Sequence, residues 1–350
     1  MRIERRPHRP LSLIVLSPII AIAAALAVSG GLIAIAGANP FVAYGLILRG
    51  AFGSILGFTE MLTRATPLIL TGLAAAVAFR AKVWNIGGEG QFYIGAIAVA
   101  AFASGSWIAG WPPVLVIPMA MAAGAIAGMA MLLVPLGLRL KFGVDEVVTS
   151  LLLNFVALLF VSMMIEGPLR DPLAFGWPSS VPVVDAATLP KLIERTRVHI
   201  GLIVAIGLAF AIYFIQARTV FGLQSRAAGL NAPAARFAGV PWVRTLVIVA
   251  CMSGGLAGLA GAIEVMGVRG YVASDLSPGY GYSGIIVAML ANLHPIGVIA
   301  AALFAAIMFV GSDSMSRALG IPSYIADVTV ALSLLTMLVS LFFTQYRIVR

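Results

Sequence analysis

Residues 217–244 read ARTVFGLQSRAAGLNAPAARFAGVPWVR, a basic stretch set between two membrane-length apolar segments. It carries Arg218, Arg226, Arg236 and Arg244 and no acid. A basic loop between spans stays on the cytoplasmic side of a membrane. Topology alone needs only two or three Arg, and this stretch is also long enough to fold locally. Asn231 is an acceptable N-cap, Pro233 falls in the first turn and Gly239 is a C-terminal stop, which predicts a short helix over NAPAARFAG. Ala232, Ala234 and Ala235 give that helix a small-residue face that fits a groove. The segment reads as a docking loop for a soluble cytoplasmic partner, with an ordinary positive-inside loop as the alternative.

The surroundings set the fold class. The chain has 350 residues, 61% of them hydrophobic and 10% charged, with a mean hydropathy of +1.06. Soluble domains run about 45–50% apolar and ~25% charged. Apolar runs of the ~20 residues needed to cross a bilayer recur along the whole length. The reading is an all-α polytopic membrane protein, residues 1–350 forming one membrane domain of about ten helices in two loosely repeated halves. The spans fall near 11–36, 63–80, 91–111, 114–138, 145–166, 198–216, 244–265, 281–293, 296–315 and 322–343. The first apolar run exceeds the ~7–15 residues of a signal-peptide core, so it reads as a retained span.

Charge supports this topology. With the N-terminus inside, alternation puts fourteen of the 22 Lys and Arg on the inner side and only four of the 13 acids. The net charge of +9 is therefore topological and not a nucleic-acid surface. N- and C-termini and 217–244 are expected inside, and the long Pro-rich stretch 167–197 outside, with a short helix near LPKLIERT. Residues 37–62 read as an amphipathic helix at the outer interface, a further span being the alternative. The lone Cys251 excludes an internal disulfide and a Cys-based metal site. His8, His199 and His294 are far apart in sequence.

Two small-residue pairs, Gly124 with Gly128 and Gly254 with Gly258, allow close helix approach in lipid. Each half carries a glycine-rich break before a span, NIGGEGQFYIGA at 85–96 and LSPGYGYSGIIVAML at 276–290, as broken helices near a transporter's substrate path do. The densest polar cluster touching a span is RAKVWNIGGEGQ, residues 80–91. Arg80 falls at the inner end of its helix, Asn85, Gly87 and Gly88 break it, and Glu89 and Gln91 open the next. The cluster reads either as a gate lining the pathway or as a turn in which Glu89 caps a helix and pairs with Arg80 or Lys82. Asn154, inside LLLNFVALLF, needs a buried partner, on another helix or along a wet path. Glu264, near the outer end of a span, and Arg269 after it read as decoration of the membrane surface, an entry-side salt bridge being the alternative, and Asp313 with Arg317 as a surface i,i+4 pair.

There is no phosphate-binding G-x-x-x-x-G-K-[ST] loop, so energy for pumping comes from a partner or an ion gradient. The stretches 65–96 (ATPLILTGLAAAVAFRAKVWNIGGEGQFYIGA), 143–155 (GVDEVVTSLLLNF), 221–240 and 281–297 (GYSGIIVAMLANLHPIG) together resemble permease subunits of bacterial ABC importers. The similar group is that of ribose and branched-chain amino-acid permeases, in particular its nucleoside-type branch, whose partners are basic-membrane-protein-type binding lipoproteins. NIGGEGQ looks like that family's N-I-G-x-E-G-Q. The resemblance implies an ATPase-coupling loop over 217–244 that includes Arg226, Gly229, Asn231, Ala234, Ala235 and Gly239. It implies a cytoplasmic ABC ATPase that uses the ATP, so that this chain needs no cofactor. It further implies a second, distinct permease subunit, an extracytoplasmic binding lipoprotein, and a multi-pass place in the inner membrane. Candidate pathway or gate residues are Asn85, Gly87, Gly88, Glu89, Gln91 and Asn154. The expected function is import of a small polar solute, a nucleoside or simple sugar. An ion-coupled secondary transporter is the main rival, and a membrane enzyme has no catalytic constellation to support it.

Overall fold

A computed structural model describes residues 2–5, 23, 27–108 and 110–349. It is all-α apart from isolated loop bridges and one two-stranded ribbon. In the ribbon β1 (Arg2–Arg5) pairs antiparallel with β2 (Tyr346–Val349), Arg2 opposite Val349. The helices are α1 (Ala27–Ile35), then α2 (Pro40–Phe52), α3 (Ile55–Arg80), α4 (Gly88–Ala103), α5 (Pro113–Phe142) and α6 (Glu146–Glu166). There follow α7 (Gly201–Arg218), α8 (Val220–Leu230), α9 (Ala232–Phe237), α10 (Trp242–Glu264), α11 (Tyr280–Leu290), α12 (Pro295–Leu319) and α13 (Ser323–Gln345).

Each expected span contains a helix, although residues 11–22 and 24–26 of the first lie outside the described residues. Among the described residues six helices are long and apolar enough to cross a bilayer alone, and a seventh span results if the bent pair α1 and α2, at 110°, counts as one. Two expected spans are shorter than the sequence suggests. α4 has 16 residues and α11 has 11, about 24 and 16 Å at ~1.5 Å per residue against a ~30 Å hydrocarbon core. The 37–62 segment is not one interfacial helix. α2 takes 40–52, capped by the Asn39 side chain on the Phe41 N–H at 2.9 Å, and 55–62 are already the first turns of α3.

The described residues gather into two compact units. The first holds residues up to Arg64 and from Leu303 onward. Its core is Ile33, Ala43, Ile47, Met315, Ile321 and Ala326. α2 and α12 cross at small residues: a Cβ on Gly50 would come within 2.5 Å of the Ser314 Cβ. Asp313 pairs with Arg64 at 2.5 Å, and Arg64 also reaches Glu60 at 3.5 Å. The expected i,i+4 partner Arg317 is displaced by a nearer cation on another helix.

The second unit, Ala65–Ala302, is built on α4, α5 and α10, which pack on one another. The glycine pairs do what their spacing implies. A Cβ on Gly128 would overlap the Gly254 carbonyl oxygen, one on Gly258 that of Gly124, and one on Gly95 that of Gly258. Backbones therefore touch with no side chain between them, the close approach that replaces a hydrophobic driving force in lipid. Residues 65–79 of α3 are buried on every side, as expected for a helix apolar all round. α6 lies on α4 and α5 and exposes Phe155, Val156, Leu159 and Met163.

The 167–200 loop carries bridges and turns instead of the helix expected near LPKLIERT. Arg195 takes φ 61°, which breaks any helical run there. Arg269 turns to Asp275 at 3.3 Å, and Glu264, expected near the surface, is buried. His199 closes the loop. Its Nδ1 accepts from the Gly201 N–H at 3.1 Å, its ring covers Gly267, and its buried Nε2 has no partner among the described residues. Burial pushes its pKa down to about 4. The unfolded chain takes up this proton near pH 6.5, so the stability due to His199 is complete above that pH and drains away as pH falls toward 4. The shift corresponds to at most about 3 kcal/mol. Melting curves from pH 7 to pH 4.5 should fall more steeply for the native chain than for His199→Asn; parallel curves would show that the buried imidazole has no such effect.

Candidate functional site

The glycine-rich breaks of the two halves meet. α4 starts after Gly87 and α11 after Gly279, which takes φ 89°. A Cβ on Gly281 would overlap the Glu89 backbone nitrogen, and one on Gly88 would lie 3.4 Å from the Gly281 carbonyl oxygen. Two helix N-termini, each the positive end of a helix dipole, thus converge on one point. Glu89 occupies it, 3% exposed. Its Oε2 accepts from the Gly281 N–H at 2.6 Å, and the Ser277 hydroxyl and Tyr282 N–H also bond the carboxylate. The pairing with Arg80 or Lys82 does not form: Arg80 donates to Gln216 Oε1 at 2.7 Å. Glu89 is held by backbone donors and a hydroxyl, with no cation bonded to it among the described residues.

Around it the polar side chains close on one another. Asn154, fully buried in α6, accepts from the Gly90 N–H at 2.8 Å. That N–H lies in the first turn of α4, where no intrahelical acceptor exists. The Asn154 amide donates to the Ile86 carbonyl at 3.0 Å and to the Tyr282 hydroxyl at 3.2 Å. Asn85 and Gln91 exchange two amide hydrogen bonds, at 2.9 and 2.8 Å. Asn85 also caps the Gly87 N–H and donates to Ser253, whose hydroxyl donates to the Ala74 carbonyl of α3 at 2.7 Å. Thr71 of α3 donates to the Tyr280 carbonyl at 2.9 Å. Asn85, Gly87, Gly88, Glu89, Gln91 and Asn154 are therefore brought together in one cluster. Sequence reasoning missed Tyr282, Ser277, Ser253 and Tyr93, whose hydroxyl donates to the Ser274 carbonyl and accepts from the Ser277 N–H. The signal available for Tyr282 was its place directly after the second glycine break. Tyr282 is also the member of this network that reaches the surface, 38% exposed.

The 217–244 loop folds as two helices. Thr219 caps α8 through the Gly222 N–H. Asn231 caps α9 through the Ala234 N–H at 3.1 Å, and Gly239 ends it at φ 79°, as the sequence predicts. The loop's residues divide in two. Gly229 and Ala235 are buried against this chain itself, so Ala235 does not stand on a face free to enter a partner's groove. Arg226, Asn231 and Ala234 are exposed, with Leu230, Arg236 and Phe237 beside them. Arg236 stacks 3.9 Å from the Trp242 ring, pinning α9 to the start of α10. Gly229 is seated on the end of α3: a Cβ there would come 2.5 Å from the Arg80 carbonyl oxygen and 3.0 Å from the Ala81 backbone. A pocket of about 330 Å³ opens beside this seat, lined by Lys82, Arg139, Asn231 and Pro233. Arg139 bonds both Glu146 at 2.5 Å and the Lys82 carbonyl at 3.1 Å, tying the α5–α6 turn to the α3–α4 turn.

The chain matches, over residues 57–341, the family model described as branched-chain amino acid transport system / permease component. It is 35% identical to the glucose ABC transporter permease protein TsgB13 of Haloferax volcanii, over 99% of this chain and 93% of that one. It is 32% identical to the guanosine ABC transporter permease protein NupP of Bacillus subtilis, over 91% of this chain and 92% of the relative. A second guanosine permease protein of the same organism, NupQ, is 31% identical over 69% of this chain and 77% of its own length. A polytopic helical fold, two glycine breaks that meet at a buried carboxylate and this match over most of the length agree: the chain belongs to the branched-chain amino acid transport system permease family.

Proposed function

We propose that this chain is the membrane permease subunit of an ATP-driven ABC importer and that it translocates a small polar solute, a nucleoside or a simple sugar. The observation that carries the reading is the seat of Gly229 on Arg80 and Ala81. It places the basic loop at one end of the short turn whose other end is the Glu89 network. ATP binding in a cytoplasmic ATPase moves the 217–244 coupling loop through the exposed residues Arg226, Ala234 and Phe237. The seat passes that motion to α3 and the 81–87 turn. The N-termini of α4 and α11 then part around Glu89, and Tyr282 and Asn154 offer hydrogen bonds to the passing solute. A glucose and a guanosine permease among the relatives support the solute class. Two guanosine permease proteins in one Bacillus support a second, distinct permease subunit beside this one. An extracytoplasmic binding lipoprotein delivers the solute to the face that carries the 167–197 loop. The chain itself uses no cofactor and has no role for nucleic acid. The localisation that fits is a bacterial inner membrane, with both termini cytoplasmic; their pairing in one ribbon supports a common side.

Uptake by the complex in proteoliposomes is expected to require ATP and to survive ionophores that collapse ion gradients. Uptake without ATP that ionophores abolish would make the protein a secondary transporter. Orientation has its own test. Phe237 is 97% exposed at the end of α9. In a Cys251→Ala background, Phe237→Cys is expected to react with a permeant thiol reagent in whole cells and to be silent toward an impermeant one. Labelling by the impermeant reagent would put the coupling loop outside.

A further inference from the structure

Leu173, Phe175 and Trp177 stand at the tip of a hairpin whose base begins four residues after α6 ends. Arg170 bridges Ser180 at that base, and the Asp171 N–H donates to the Ser179 carbonyl at 3.0 Å. The tip is the turn from Ala174 to Trp177, closed by the Trp177 N–H on the Ala174 carbonyl at 2.9 Å. Phe175 takes φ 48° and Gly176 φ 90°. Two successive left-handed residues make a primed hairpin turn, where Asn, Asp or Gly suits the first position. A bulky residue there is strained. The ring gains nothing from its own chain in return, because Phe175 is fully exposed, with Leu173 at 79% and Trp177 at 68%. A strained backbone that presents a bare ring is a functional feature whose partner lies outside the chain.

We propose that this hairpin is a lipid anchor, inserting Leu173, Phe175 and Trp177 into the headgroup–acyl boundary of the leaflet at the C-terminal end of α6. The exposed apolar face of α6 runs through Phe155, Leu159 and Met163 to its last turn, so the hairpin starts at the edge of a lipid-covered surface. Three linking residues, four Cα steps at ~3.3 Å each, keep its base within about 13 Å of the end of that span. Residues 172–179, PLAFGWPS, hold no charge. Trp, Phe and Leu at the tip, with Arg170 and Asp171 at the base where the headgroups lie, are the set that settles at bilayer interfaces. Part of the tip's backbone is closed on itself: the Leu173 N–H bonds Asp171 Oδ1 at 2.9 Å and the Ala174 N–H the Asp171 carbonyl. The backbone groups left over suit the hydrated headgroup boundary and exclude the hydrocarbon core, whereas a docking site for a folded protein would set polar side chains around the rings. A second aromatic pair lies at the same end. The Ala103 carbonyl at the end of α4 accepts from the Val184 N–H at 2.8 Å, and just beyond it Trp107 and Trp111 stack 5.8 Å apart, both exposed. The two clusters form parts of one aromatic belt.

The test places an environment-sensitive fluorophore at Phe175→Cys, and separately at Trp177→Cys, in a Cys251→Ala background, with the complex in vesicles. Glu194→Cys, exposed in the same loop, is the aqueous control. Labels at 175 and 177 should emit to the blue of the control, be quenched by lipids carrying a nitroxide near the headgroup, and resist iodide by about threefold relative to 194. These signals should be the same with and without the binding protein and the second permease. Iodide quenching equal to that at 194 at both positions would overturn the anchor. So would shielding that appears only when either protein partner is added.

Discussion

Glu89→Gln is expected to lower ATP-driven uptake at least about tenfold and to let solute leak without ATP, while the complex still assembles. The carboxylate meets donors only, the Gly281 and Tyr282 N–H groups and the Ser277 hydroxyl. An amide of the same size turns one acceptor oxygen into a donor facing donors and removes the charge. Hydrogen bonds to a charged group contribute ~1.5–3 kcal/mol, and the two helix dipoles that converge there add ~0.3–1 kcal/mol each. Losing about 2 kcal/mol at this contact would move an equilibrium between joined and parted helix ends by about thirtyfold. If the contact is the closed state of the gate, that shift opens the path without the ATPase. Uptake and leak in reconstituted vesicles, normalised to assembled complex, separate this from a packing role. Normal uptake with a lowered melting temperature would mean that Glu89 only holds two helices together.

Local features of the site were legible before any coordinates. The helix break, expected at 85–88 and found at 81–87, the start of α4 at Gly88 beside Glu89, and the caps of α9 follow from residue chemistry within a few positions. So do the glycine crossings, because a spacing of four marks one helix face. What the sequence hides is every partner from elsewhere in the chain. Glu89 finds Gly281, 192 residues away, and Asp313 prefers Arg64, 249 residues away, to the neighbour one turn along. An i,i+4 pair is visible in sequence, but a cation on a packed helix in better geometry outcompetes it. Tyr282 and Tyr93 were missed because an aromatic beside a span resembles core packing until the hydroxyl's partner is known. Ala235 shows a related limit: a small residue facing a partner's groove and one facing its own chain have the same local signature. Span length was over-read at α4 and α11, because apolar composition continues into the loops that follow them.

Gly229→Leu is the second change with a large expected effect, because it strikes between the two halves of the mechanism. The residue touches neither the solute network nor the exposed surface of the loop. Its Cα is held against the Arg80 carbonyl and the Ala81 backbone, and backbone cannot swing aside as a long side chain would. A leucine must lift α8 from the end of α3, at an overpacking cost of about 1–3 kcal/mol. α8 has room to give: Leu223 and Leu230 on it are exposed, although its other side packs on α10. The complex should therefore assemble and hydrolyse ATP, but solute should no longer stimulate that hydrolysis. Changes along a coupling route alter it by ~0.5–2 kcal/mol, about two- to thirtyfold, and a backbone overlap of this kind belongs at the upper end. Ala234→Leu, exposed on α9, is the companion: it alters the outer face of the loop and leaves the seat on Arg80 untouched. If Gly229→Leu retains solute-stimulated hydrolysis and uptake while Ala234→Leu loses both, the ATPase is felt through another contact. If Gly229→Leu alone loses them with the ATPase still bound, the motion enters the membrane through the end of α3.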